Sequence, residues 1–256
     1  MNQFAINRFT QHFTQQIEEI TKVENAVYRK LLFVCVLDTL AICRYPKRDN
    51  KRRLVGLINN YSGWSNSLRV SLIHLYLHLD YVLDEGEKKS STLYNQVHRL
   101  ISALDKEKIY RSEIDLDYNQ TVKLAKKQEL GCIKLARNSE LLYAYRNSLV
   151  HAFKEPGHQI EISDYGSEPY YDTQSTDQWE LIYPVEFFRN LCSRSLSNIK
   201  DYLIDEGVNP YSRYREINAI GDYWINPNKL RSEKSDGFFQ KFVKLISSRQ
   251  SQSILV

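Results

Sequence analysis

The 256-residue chain is 42% hydrophobic and 26% charged, with 18 tyrosines against 9 glycines. That balance excludes a disordered or glycine-rich chain and allows a sizeable buried core. A net charge of +4 and an isoelectric point near 8.7 suit a polyanionic partner and exclude a dedicated nucleic-acid tail.

The first helical pattern spans residues 3–22, with Phe4, Phe9, Phe13, Ile17 and Ile20 at its apolar positions. A strongly apolar helix follows from Glu24 to Tyr45, stopped by Pro46 and followed by the basic cluster "KRDNKRR". Leu54, Leu57, Ile58 and Tyr61 mark a third helix; Leu68, Leu72, Leu75, Tyr76, Leu79 and Val82 mark a fourth. The charged stretch 84–131 reads as an insertion or lobe with one helix around Leu93, Val97, Leu100, Ile101 and Leu104.

A helix from about Gly131 to Phe153 comes next. The alternation and turn residues of "GHQIEISDYGSEPYY" and "QWELIYP" then predict a β-hairpin or an irregular arm. Helical periodicity returns from Val185 to about Leu203. In "FFQKFVKLISSRQ", Phe238, Phe242, Leu245 and Ile246 share a helical face, with Lys241, Lys244 and Arg249 elsewhere. The expected fold class is all-α. A domain over 1–205 has core helices at about 24–83 and 131–205 and an insertion at 84–130. Residues 206–256 form an extension packing on the core or on a partner subunit.

The N-terminus lacks the order of a secretory signal, and the longest apolar run, Leu31 to Cys43, is too short to span a bilayer. A cytoplasmic protein without a membrane partner is expected. Cys35, Cys43, Cys132 and Cys192 show no paired spacing, and buried thiols are the expectation. His74 and His78 stand four apart but lack the further donors of a zinc frame, so neither metal nor cofactor is expected. P-loop, dinucleotide and G-x-S-x-G patterns are absent from the sequence.

The stretch "YAYRNSLVHAFKEPG" at 143–157 carries the chemistry. On a wheel of about 100° per residue, Leu135, Leu142, Leu149 and Phe153 fall on one stripe. Arg146 lies on or beside that stripe, where a permanent charge is costly. It either carries its charge out past the core or pairs with a carboxylate, and Asp38, isolated in its apolar helix, is the candidate. Asn147 and His151, four apart, stack on the roughly opposite face beside Ala144 and Ser148.

"RNSLVH" resembles the R-x(4–6)-H motif of the HEPN superfamily, the higher-eukaryote and prokaryote nucleotide-binding domains. The resemblance covers about residues 24–205, with 84–131 as a departure. It implies an up-and-down helical bundle and a metal-independent endoribonuclease of a toxin–antitoxin or defence system. Arg146 and His151 match the catalytic pair and Asn147 the polar position after the arginine. The site would be composite, completed by a homodimer through the Arg146–His151 face. A regulatory protein such as an antitoxin is a further implied partner. Some members are catalytically silent and bind nucleotides or a protein instead.

Cleavage by the RNA's own 2′-hydroxyl needs a base, an acid and positive charge on the phosphorane. Histidine transfers protons near neutral pH and arginine matches phosphate oxygens. Lys47, Arg48, Lys51, Arg52 and Arg53 form either an RNA-tracking rim or a solvated loop.

Overall fold

The computed structural model describes residues 2–105, 107–156, 166–173 and 178–215. Within them the chain is predominantly helical, with a small three-stranded sheet. The expected extension over 206–256 therefore lies largely outside the described residues, and the "FFQKFVKLISSRQ" stretch lies wholly outside them.

Helix α1 (Asn2–Ile20) buries Ile6, Phe9, Phe13, Ile17 and Ile20 at helical spacing. Phe4 is 69% exposed, contrary to expectation. Nine residues at 100° each turn it about 180° from Phe13, so one face cannot hold both. Asn25 caps α2 (Ala26–Arg44) by accepting from the Tyr28 amide, and Asp49 caps α3 (Asn50–Tyr61) through Arg52. Helix α4 (Leu72–Val82) starts later than its periodicity suggests and leaves Leu68 exposed, because Ser71 takes the cap position.

The stretch read as an insertion is a chain of short elements. These are α5 (Glu85–Ser90), α6 (Thr92–Ser102), β1 (Lys108–Tyr110), α7 (Arg111–Ile114) and α8 (Tyr118–Leu124), before α9 (Leu130–Leu135). Asp84 and Glu87 form a capping box on α5, Ser91 caps α6 and Asp117 caps α8. Polar residues that look like solvated punctuation are thus local stops and starts.

The expected single helix over 131–153 is two helices, α9 and then α10 (Asn138–Ala152). Neither glycine nor proline breaks it. The backbone between them is spent on the strand-like Val70 segment instead: Ser71 N–H donates to Ala136 O, and Asn138 N–H to Arg69 O. Breaking the phase exposes Leu135 to 51%, away from Leu142 and Leu149, which stay buried. Phe153 also leaves the predicted stripe. It ends α10 in the left-handed region at φ 51° and is 67% exposed.

The hairpin exists: β2 (Tyr170–Asp172) pairs antiparallel with β3 (Glu180–Ile182), and β1 adds on the other side of β2. Helix α11 (Val185–Asp205) closes the bundle against α1, α2 and α3, while α10 lies against α2 and α3. A short α12 (Pro210–Arg215) follows.

The apolar residues form two groups. Phe9, Phe33, Leu37, Leu40, Leu57, Leu142, Leu149, Phe188, Leu191 and Ile199 are buried on the five long helices α1, α2, α3, α10 and α11. Val70, Leu72, Leu75, Leu79, Leu93, Val97, Cys132 and Ile133 form a cluster of their own, so α4 packs with α6 and α9. Each such side chain contributes roughly 1.5–3 kcal/mol, enough for the lobe to hold its own short helices.

Candidate functional site

Arg146 projects from α10 to α2, where its Nε donates to Asp38 Oδ2 at 2.9 Å and its Nη2 to the same oxygen. Its Nη1 donates to Asn147 Oδ1 at 3.0 Å. Of the two alternatives the sequence leaves open, the pairing with Asp38 is the one present, with side-chain exposures of 12% for Arg146 and 25% for Asp38. Burial lifts the Asp38 carboxyl above its ordinary range, while the bonds from Arg146 pull it down. Three of the five guanidinium N–H groups are engaged, and the other two have no hydrogen-bond partner among the described residues.

His151 lies in the last turn of α10 and is exposed. An imidazole there faces the negative end of the helix dipole. Asn147 is half-buried and also lines a groove of about 890 Å³. Lys51, His74, His78, Tyr143, Ser148 and Trp179 are among the groove's other walls; His151 is not one of them. The structure thus links Arg146 to Asn147 and Asn147 to the groove, and places His151 outside it.

The basic cluster divides. Arg53 donates to the Tyr45 and Pro46 carbonyls, and Arg48 lies 4.1 Å over the Tyr45 ring. These two hold the α2–α3 turn. Lys51 meets Glu140 Oε2 at 2.7 Å and Arg52 pairs with Asp49 at 3.3 Å. Lys47 is exposed. The Arg52–Asp49 pair is exposed on both sides and contributes little, whereas Lys51 meets a buried carboxylate.

A second polar assembly was not foreseen. Arg111, 1% exposed, donates from Nε to Asp115 Oδ2 at 2.9 Å, from Nη1 to Tyr183 Oη at 2.9 Å and from Nη2 to Asn138 Oδ1. Asn138 returns a bond to Asp115 at 2.8 Å, and Tyr171 donates to the other Asp115 oxygen at 3.2 Å. The i, i+4 spacing of Arg111 and Asp115 is common on exposed helices and does not single this pair out in the sequence. A similar buried pair, Lys30 with Glu155 at 3.0 Å, holds the segment after α10 onto α2.

His74 carries this assembly to the groove. Its Nδ1 lies 2.9 Å from Ser71 Oγ, which lies 2.6 Å from Tyr171 Oη. Burial, then the charges of Arg111 and His78, push the His74 pKa down to about 3. A histidine with a folded pKa below its unfolded value of ~6.5 stabilises the fold fully above that value and loses the contribution as pH falls. Acidifying to pH 4.5 is expected to cost about 3 kcal/mol through His74. Urea midpoints at pH 7.5 and 4.5 check this: His74→Gln should show a smaller drop than the parent, and equal drops would assign the acid sensitivity elsewhere.

Cys43, Cys132 and Cys192 are buried as expected, but Cys35 is exposed. Burial and the neighbouring Asp38 raise its thiol pKa above the ordinary value, so it is no activated nucleophile. Among the described residues no three His, Cys, Asp or Glu side chains come together as metal donors, and no helix is long and apolar enough to cross a membrane. No protein-family model, no curated protein and no solved structure matches the chain.

Proposed function

We propose that the chain is a metal-independent endoribonuclease of HEPN type, acting as a homodimer in a toxin or phage-defence setting. The observation that supports this is the Arg146 arrangement. A guanidinium anchored by Asp38 and Asn147 has two donors without a partner among the described residues, within five residues of an exposed imidazole on the same helix.

In the proposed reaction the 2′-oxygen of RNA attacks the adjacent phosphorus while a base takes its proton. The P–O5′ bond breaks, the 5′-oxygen takes a proton from an acid, and the products are a 2′,3′-cyclic phosphate and a 5′-hydroxyl. Arg146 would neutralise the phosphorane, and His151 would transfer protons. One chain offers one histidine in this motif, so the second proton-transfer group is assigned to the partner subunit's copy. Asp38 stabilises the orientation of Arg146, and Asn147 would hold a ribose or phosphate oxygen without titrating.

The test is incubation with total RNA in EDTA. Cyclic-phosphate ends are expected from the parent and at least a hundredfold fewer from Arg146→Ala. Equal yields from both proteins would assign the cleavage to a contaminant or to another site.

A second reading rests on the groove, whose walls take in Asn147 but not His151. It is that of a silent HEPN-type protein binding a nucleotide or a partner protein. Saturable nucleotide binding without cleavage by the parent protein would favour it.

A further inference from the structure

Helix α2 is apolar on nearly every side, the pattern of a helix enclosed by protein. It buries Phe33, Val34, Val36, Leu37, Leu40, Ala41 and Cys43 against the bundle. Yet Tyr28 is 55% and Leu32 39% exposed, Cys35 is exposed, and Thr39 and Ile42 are half-buried. These five positions are spaced four, three, four and three residues apart. That is the heptad spacing of a helix–helix seam, and on a wheel it occupies an arc of about 80°.

We infer that this stripe is the surface on which a second copy of the chain docks, α2 against α2 across a two-fold axis. The occupant follows from three observations. The stripe carries no charged residue, and the nearest carboxylate, Asp38, is already neutralised by Arg146. Identical faces therefore meet without like-charge repulsion. The middle of the seam is small: Cys35 is its central position and Thr39 the next, so two backbones approach closely there. Finally, Asp38 and its bound Arg146 flank the seam, so a second copy brings a second guanidinium to this side of the bundle, while His151 lies about 140° around α10 from Arg146. This last argument rests on the nuclease reading, in which one chain's site is incomplete; the seam itself does not.

Because Cys35 is the midpoint of the stripe, a fully overlapped seam brings the two Cys35 residues together whether the helices run parallel or antiparallel. Facing core positions of such a pair fall within the Cα separation of roughly 4.4–6.8 Å that a disulfide requires. The full-length chain should sediment as a dimer in reducing buffer. Copper-phenanthroline oxidation should double its mass on a non-reducing gel, and Cys35→Ser should abolish the band. Leu32→Asp should weaken dimerisation at least a hundredfold while leaving the circular dichroism spectrum nearly unchanged, since the side chain is not in the core; the melting temperature should fall only by the lost contribution of association. A monomeric parent chain overturns the inference. So does a dimer that neither cross-links at Cys35 nor responds to Leu32→Asp. A dimer that passes both tests but leaves RNA intact upholds the seam and removes the nuclease reading.

Discussion

Arg111→Ala is expected to destabilise the protein by about 3–5 kcal/mol, the range for removing one partner of a buried ion pair. Against a typical total of roughly 5–15 kcal/mol, that brings a small protein close to unfolding. The reason lies in what the substitution strands. The Asp115 side chain is fully buried and its carboxylate would keep only neutral donors, Asn138 and Tyr171. Tyr183 Oη and Asn138 Oδ1 would lose their guanidinium donor. The surrounding rings of Trp64, Tyr171 and Tyr183, each within 6 Å of the guanidinium, would border a cavity. Arg111→Lys should recover little, because an ammonium cannot present a planar fork to three partners. Urea unfolding with a double-mutant cycle separates the terms: Arg111→Met combined with Asp115→Leu should cost clearly less than the sum of the singles. A loss below about 1 kcal/mol for Arg111→Ala would mean that this assembly contributes little to the fold.

His151→Ala is expected to lower RNA cleavage by about 10² to 10⁴-fold, the usual contribution of a positioned acid or base. It should do so without loss of structure. The side chain is exposed and forms no hydrogen bond or ion pair with a described residue, so its removal opens no cavity and strands no buried group. The diagnostic result is therefore a pair of measurements on one protein: rate on a single-stranded RNA in EDTA, and melting temperature. A collapse of the rate with melting unchanged supports proton transfer. Unchanged rate with unchanged melting would remove His151 from the proposed chemistry. The contrast with Arg111 is useful, because there stability should fall first and any loss of activity should follow it.

The two sites differ in how far they could be read in advance. Asp38 and Arg146 were legible because each is a lone charge in an apolar helical pattern, and a charge in such a place needs a counter-charge. The motif residues 146, 147 and 151 sit close together in sequence, so one helix suffices to display them. Arg111 was not legible. Its partners are 4, 27 and 72 residues away, just past the end of α7, on α10 and just beyond β3. The segment that carries it has the composition of a solvated loop. The same logic explains His74, which looked like half of an unlikely zinc pair. Its environment comes from Ser71, Tyr171 and Arg111, which only folding assembles.

The sequence by itself determined the local order of the long elements: which of those stretches coil and which face of α1 or α11 is apolar. These depend on periodicity. Only the tertiary structure decided the break between α9 and α10, the grouping of α4 with the charged segment, and the exposure of Cys35. Those outcomes depend on which distant backbone or surface competes for the same groups, and a bond from Val70's neighbours to Ala136 leaves no mark in the residues on either side of it.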